Sequence, residues 1–147
     1  MEFRKFVENY KKDVKETLAK LPKKHQSLIK GYKFKSQPGN TLKGDDEHVG
    51  ITDDEKKTIT VCGGWFYSRE MINLHEIAHK LWKNLSNEQK DKWEKIVKNT
   101  KKYMPKNSAL NQNTEEIFCM TYATEYAKHP PVTYQNKARQ DFIKNIS

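Results

Sequence analysis

Five consecutive residues, His75-Glu76-Ile77-Ala78-His79, combine two side chains that bind metal ions with one that transfers protons. Residues i and i+4 lie on the same face of a helix, so both imidazoles can reach one metal ion. Glu76 lies at the edge of that face, where its carboxylate can take a proton from a water that the metal activates. The H-E-x-x-H spacing therefore predicts a metal-dependent hydrolytic site, with zinc as the metal.

A catalytic zinc site needs a third protein ligand and an open fourth position. The extension H-E-x-x-H-x-x-G-x-x-H does not continue here, because Trp82 and Leu85 stand at the glycine and third-histidine positions. His129 is one alternative ligand, although its place beside two prolines also suits a helix C-terminus, where it would interact with the helix dipole. Glu115 and Glu116 are the other candidates.

The two glutamates differ in the helix face that each would occupy. Glu116 shares its face with small or apolar residues, including Cys119 and Met120, which suits a side chain directed toward the core. Glu115 shares a mixed face with Tyr122, and its charge also suits the N-terminal end of a helix dipole. We favour Glu116 as the third ligand, with Glu115 as the alternative.

The elements that must position these residues follow from hydrophobic periodicity and turn chemistry. We predict helices over 3–20, 23–30, 68–83, 87–101, 115–128 and 135–145, and strands over 32–35, 49–51 and 58–61. The expected fold class is α+β, mostly helical with a small antiparallel sheet, in a single domain over 1–147. Its predicted parts are N-terminal helices over 1–31, the sheet over 32–64, the active-site helix over 68–83 and C-terminal helices over 87–147.

At this point the chain resembles a known family. H-E-x-x-H followed by a glutamate in N-x-x-E-x-F is the layout of the gluzincin zinc metallopeptidases, and it is similar to the catalytic domain of anthrax lethal factor and its smaller relatives. Asn113, Glu116 and Phe118 carry the second motif, with Cys119 where that group has alanine. The resemblance implies a minimal zincin-like fold and a zinc-dependent endopeptidase.

The resemblance also implies roles for individual residues. His75, His79 and Glu116 would be the Zn²⁺ ligands, and Glu76 would be the general base and acid. The lethal factor group has a tyrosine before the ligand glutamate that stabilises the oxyanion. This chain has Ala109 at the corresponding position, and the nearest tyrosine, Tyr103, is the candidate for that role.

The chain departs from the gluzincin pattern at one further position. Many gluzincins keep an acidic residue four positions after the ligand glutamate, where it orients a metal-binding histidine. Here that position is Met120. The orienting contact would therefore have to differ in this chain.

The segment before the active-site helix is the candidate substrate-binding edge. In zincin folds an antiparallel edge strand borders the cleft, and an extended peptide adds to it by main-chain hydrogen bonds. Thr60, Cys62, Gly63 and Gly64 are the predicted substrate-binding residues, since the glycines leave room for a close backbone approach. The alternative interpretation is an ordinary strand end closed by glycines.

Composition limits the remaining function classes. The 147 residues carry 28 Lys+Arg against 19 Asp+Glu, a net charge of +9, which favours acidic substrates or partners. Nucleic acid is a conceivable partner but is not favoured, because the lysines are dispersed and no recognition motif is present. No apolar stretch is long enough to span a membrane, and Cys62 and Cys119, interpreted as buried thiols, are too few for a disulfide scaffold.

The sequence therefore predicts a monomeric zinc endopeptidase that cleaves a peptide or protein substrate. The N-terminus carries no secretory signal, so we expect a cytoplasmic protein, although a secreted chain stripped of its signal has the same composition. The competing prediction is an inactive zincin-fold module that binds nucleic acid or a protein partner. Glu76→Gln separates the two, because only a peptidase loses a function through that change.

Overall fold

A computed structural model describes residues 3–37, 50–62, 69–100, 113–128, 130 and 135–146, with the backbone alone over 3–9. Its helices are α1 (Phe3–Lys20), α2 (Lys23–Leu28), α3 (Arg69–Asn84), α4 (Asn87–Thr100), α5 (Thr114–Tyr126) and α6 (Lys137–Asn145). Its strands are β1 (Lys33–Gln37), β2 (Gly50–Asp53) and β3 (Thr58–Cys62). The α+β class is confirmed, whereas the single-domain organisation stays a prediction. None of these helices has the length and hydropathy that crossing a bilayer requires.

The described strands form one mixed sheet in the order β1-β3-β2. β3 runs antiparallel to β2, as the predicted hairpin requires, but it runs parallel to β1. The prediction of an antiparallel sheet is therefore wrong for the β1–β3 pair. Parallel neighbours need a long connection, and here the chain between them includes β2. The residue pattern of a strand does not indicate which other strand will pair with it.

Helix α3 is the element on which the site depends. It packs against α5 and against strands β2 and β3. Its side chains enter the same hydrophobic core as Ile59 and Val61 of β3 and Phe118 and Tyr122 of α5, each of them 0% exposed. Contacts with both a sheet and a helix leave α3 little freedom to rotate, so the direction of its polar face is set by the core.

Polar contacts near both ends of α3 add to this packing. At the first turn, the Glu70 carboxylate accepts hydrogen bonds from the Thr17 hydroxyl of α1 at 2.9 Å and from the Lys128 backbone N–H beyond α5 at 2.8 Å. One turn before the other end, Lys80 Nζ lies 2.8 Å from both Asp54 Oδ1 and Tyr32 Oη. These contacts connect α3 to α1, to the segment after α5, and to residues next to β1 and β2.

Candidate metal centre

Helix α3 brings the two histidines of the motif together. Because they are four residues apart, the rings of His75 and His79 lie on one face, with centroids 4.9 Å apart and planes at 71°. Both side chains are partly exposed, at 17% and 25%, so the face is open to small molecules. The expected convergence of the two imidazoles is what the geometry shows.

Glu116 reaches the same point from α5. Its Oε2 lies 2.8 Å from His75 Nε2, and its Oε1 lies 3.2 Å from His79 Nε2. Asn113 caps this helix, since its side chain accepts hydrogen bonds from the backbone N–H groups of Glu115 and Glu116. The capped first turn therefore holds the Glu116 carboxylate over both imidazoles.

The electrostatics of this cluster follow from its contacts. Hydrogen bonds from His75 and His79 hold the pKa of the Glu116 carboxyl well below its usual range. Burial lowers the pKa of His79, but the hydrogen bond and charge of Glu116, together with Glu76 and Glu115, outweigh burial and leave that pKa raised. The three carboxylates therefore favour positive charge on His79.

Glu115, the alternative ligand, lies on the other side of one ring. Its Oε1 is 3.6 Å from His79 Nδ1, and Nδ1 faces away from the Nε2 that meets Glu116. Only Glu116 contacts the Nε2 atoms of both histidines. Glu115 is placed to act on the orientation and charge of His79 from the opposite nitrogen.

Cys119 also belongs to this neighbourhood. His75, His79 and Cys119 each offer a ligand atom, these atoms lie within 4.8 Å of one another, and the group could hold a metal ion. The thiol is free and 0% exposed, as the sequence predicted. Burial raises its pKa well above the usual value, and the neighbouring carboxylates act in the same direction. Its spacing of three residues from Glu116 was the sequence signal for this proximity.

Met120 lies beside the Nδ1 atom of His75, the first histidine of the motif. His75 Nδ1 lies 3.2 Å from Met120 Sδ. A thioether can only accept, so a favourable contact requires the hydrogen to be on Nδ1. A metal bound at this ring would then replace the hydrogen that Nε2 donates to Glu116. Met120 therefore stands where the gluzincin resemblance would place a carboxylate, and it makes the corresponding contact without a charge.

Glu76 has a partner that the sequence analysis missed. The Thr52 hydroxyl of β2 donates a hydrogen bond to Glu76 Oε2 at 3.0 Å. The two residues are 24 positions apart and belong to different elements, so local periodicity could not indicate the contact. The one available signal was that β2 belongs to the hairpin preceding the active-site helix.

The predicted substrate edge is wrong in one respect. β3 is the central strand, with Thr60 paired to Lys35 on one side and to Ile51 on the other. Its main-chain groups are therefore used within the sheet, because β1 occupies the side that was expected to be open. The substrate roles of Thr60 and Cys62 lose the edge position that motivated them.

Four residues for which the sequence predicted roles lie outside the described ranges. They are Gly63 and Gly64 of the predicted substrate edge, Tyr103, the candidate for oxyanion stabilisation, and His129, the alternative ligand. Their roles stay predictions.

Comparison with protein-family models, with curated proteins and with solved structures finds no match for this chain. The resemblance to gluzincins thus rests on the residues of two short motifs. What the chain does is inferred from the geometry of His75, Glu76, His79 and Glu116.

Proposed function

We propose that this chain is a zinc-dependent endopeptidase of the gluzincin type, with a minimal zincin-like fold. The observation that carries the proposal is the position of the Glu116 carboxylate, 2.8 and 3.2 Å from the Nε2 atoms of the two motif histidines. An H-E-x-x-H sequence alone can be a pair of ordinary surface histidines. A third donor that meets both imidazoles from a separate helix supports a metal site.

The donor set fits zinc. In a tetrahedral site with bonds of about 2.0–2.1 Å, neighbouring ligand atoms lie about 3.3 Å apart. The contact between Glu116 Oε1 and His79 Nε2, at 3.2 Å, is close to that separation, whereas Glu116 Oε2 lies nearer to His75 Nε2, at 2.8 Å, and would move away from it when a cation binds. Two histidines and one carboxylate, with a further position left open, are ligands typical of a catalytic zinc ion.

The chemistry would be divided between the metal and Glu76. Bound zinc would supply Lewis-acid activation of water and of the peptide carbonyl. Glu76 would accept a proton from the attacking water and deliver it to the nitrogen of the leaving amine. Tyr103 remains our candidate for the group that stabilises the oxyanion.

An extended peptide is the substrate class that we propose. Among the described strands, β2 has a partner on one side only, and it packs against α3. A peptide that pairs with the other side of β2 would lie beside the active-site helix. The net charge of +9 favours an acidic substrate through its long-range field. We retain the predictions that the protein is monomeric and cytoplasmic.

Cys119 supports a second candidate function. A closed site, with a thiolate among the ligands, is typical of structural zinc rather than catalytic zinc. A chain that binds zinc through His75, His79 and Cys119 would be a binding module that uses the metal for stability. The buried position of the thiol and its distance from both histidines make this alternative specific enough to test.

The first test is the zinc content of purified, chelator-treated and resupplied protein by plasma mass spectrometry. We expect about one zinc per chain, lost in Glu116→Ala because a His₂ site binds zinc weakly. Glu115→Ala is the matched control, since it removes a carboxylate from the same helical turn and should keep the zinc. A wild-type protein that takes up no zinc contradicts the proposal.

Cobalt substitution distinguishes the two candidate sites. A Co²⁺-thiolate bond gives a near-ultraviolet charge-transfer band, which a His₂Glu site lacks. We expect no such band in the wild type and an unchanged spectrum in Cys119→Ala. A band that disappears in Cys119→Ala would instead establish the thiolate site and favour the binding module.

The second test is cleavage of a peptide library by the zinc-loaded protein, with products identified by mass spectrometry. We expect Glu76→Gln to keep its zinc and to lose turnover by a factor of about 10²–10⁴, the usual contribution of a general base. Equal turnover in wild type and Glu76→Gln would contradict the assignment of Glu76.

A further inference from the structure

Strand β2 lies unusually close to α3 at Gly50. A Cβ atom added at this glycine would lie 2.6 Å from Ile72 Cγ2 and 3.0 Å from Glu76 Oε1. A side chain at position 50 would overlap these atoms, so a glycine there is what allows the strand to approach the helix. The approach occurs at the residue of α3 that the proposed function uses as the general base.

The register of the sheet explains why this face of β2 meets α3. Gly50 pairs with Val61 and Thr52 pairs with Ile59, and both partners on β3 are completely buried in the core. Directly paired residues project to the same face of a sheet, so Gly50 and Thr52 face α3 as well. Gly50 supplies the close approach, and Thr52 supplies a hydroxyl at the distance that this approach sets.

The Thr52 hydroxyl contacts one oxygen of the Glu76 carboxylate, and the other oxygen lies next to the space that Gly50 leaves open. Thr52 Oγ1 donates to Glu76 Oε2 at 3.0 Å. A glutamate side chain has several freely rotating bonds, whereas a β-branched threonine in a strand has few rotamers. A hydrogen bond from the stiffer side chain therefore restricts where the carboxylate can point.

We propose that Thr52 is a positioning residue for Glu76, fixing Oε2 by its hydrogen bond while Gly50 leaves the room that Oε1 occupies. The inference rests on the proposed peptidase function and adds to it the group that orients the base. Thr52 keeps its own proton throughout. A hydroxyl both donates and accepts, so it can remain bonded to Glu76 while the carboxylate gains a proton from water and passes it to the leaving amine.

The placement on β2 connects this role to the substrate. Of the two edge strands among the described strands, β1 and β2, it is β2 that contacts the base. A peptide paired with β2 would therefore bind the strand, Gly50–Asp53, that carries Thr52. The same strand would then position both Glu76 and the substrate.

The test compares Thr52→Val with Thr52→Ser in the zinc-loaded full chain. Valine has the shape of threonine without the hydroxyl, and serine keeps the hydroxyl. On a peptide cleaved by the wild type, we expect Thr52→Val to lower kcat about 10-fold with KM within about twofold, since the general-base contribution is reduced but not abolished. Thr52→Ser should restore kcat to within about twofold of the wild type. An unchanged kcat in Thr52→Val, or an equal loss in Thr52→Ser, overturns the inference.

A measurement without turnover tests the contact itself. In the zinc-free full chain, Thr52→Val should lower the melting temperature by about 2–4 °C, but by much less when Glu76→Ala is already present. An equal decrease in both backgrounds shows that the hydroxyl does not bond Glu76, which also overturns the inference.

The two measurements separate the inference from the proposed function. Wild-type protein that binds zinc but cleaves no peptide shows that the peptidase function is wrong, and a positive thermal cycle would then make Thr52 a structural contact. Wild-type protein that cleaves peptides, with Thr52→Val as active as the wild type, leaves the peptidase in place and removes only the role of Thr52.

Discussion

At the scale of single residues, His75 and His79 differ in the group that lies beside the Nδ1 atom of each ring. His79 Nδ1 lies 3.6 Å from a Glu115 carboxylate oxygen, whereas His75 Nδ1 lies 3.2 Å from the neutral sulfur of Met120. A carboxylate partner raises the basicity of a ligating imidazole, and a thioether orients the ring with little effect on its charge. The proposed zinc site would therefore be asymmetric, with His75 the weaker donor.

Removing this sulfur should weaken metal binding. Met120→Leu keeps an apolar side chain of similar volume but has no acceptor for the Nδ1 hydrogen of His75. We expect its zinc dissociation constant to rise about 10-fold, at the low end of the effect of outer-shell partners. Competition with a chromophoric chelator measures this change directly.

Met71 provides the matched control for that experiment. It is also buried, at 3% exposure, and it lies in the first turn of α3 rather than against a motif histidine. Met71→Leu should leave zinc affinity unchanged within a factor of about two, because it makes the same exchange elsewhere in the core. Equal effects of the two changes would show that core packing, not the sulfur contact, governs affinity.

At the scale of elements, the site depends on how closely a strand and two helices meet. α3 supplies the histidines and Glu76, α5 supplies Glu116, and β2 supplies Thr52, so no single element contains a complete site. The predicted helices and strands agree with the observed ones to within two residues at each end. Their distances from one another are set by the side chains between them, and Gly50, which has no side chain, lets β2 approach α3 closely.

Gly50→Ala tests the tight approach of β2 to α3. The added methyl group would overlap Ile72 Cγ2, so the strand or the helix must shift, and we expect the free energy of unfolding to fall by about 1–3 kcal/mol. Urea denaturation followed by circular dichroism measures this loss.

Truncating the opposing side chain is the control. In an Ile72→Ala background the nearest overlap is removed, so Gly50→Ala should cost clearly less than it does in the wild type. The same cost in both backgrounds would mean that the instability comes from the β2 backbone and not from contact with α3.

At the scale of the whole molecule, a buried histidine joins distant parts of the chain. His25 of α2 is 1% exposed, and its Nδ1 lies 3.0 Å from the Tyr122 hydroxyl of α5. The Tyr122 and Tyr126 rings also lie against it. Burial among these aromatic groups lowers the pKa of His25 below its usual value.

The lowered pKa predicts a loss of stability in mild acid. The unfolded chain binds a proton at His25 near the ordinary histidine pKa of about 6.5, whereas the folded chain resists protonation until lower pH. The stabilisation that His25 contributes is therefore fully present above its pKa in the unfolded chain, and it is lost as the pH falls toward its pKa in the folded chain. We expect the urea midpoint to decrease between about pH 7.5 and about pH 5.5.

Comparison with His25→Gln separates the contribution of this residue from those of the other titratable groups. The variant should be less stable at both pH values, but its midpoint should decrease less than that of the wild type across the interval. Parallel decreases in the two proteins would contradict the assignment to His25.

The sequence by itself determined the local features of this protein. Hydrophobic spacing and turn residues indicated the helices, and the i, i+4 spacing placed His75 and His79 on one face of α3. These features depend on residues within a few positions of one another, so their physical causes are contained in short segments. The motif glutamate Glu76 was identified in the same way.

Only the tertiary structure decided which distant residues complete the site. The contacts of Glu116 with both histidines, of Met120 with His75 and of Thr52 with Glu76 join residues 24 to 45 positions apart. The central position of β3 likewise depends on its pairing with β1. Helical and strand periodicity indicate the face on which a side chain lies, but not the element against which that face will pack. That choice is made by packing of the whole core, where burial of many apolar groups determines the distance between a few polar ones.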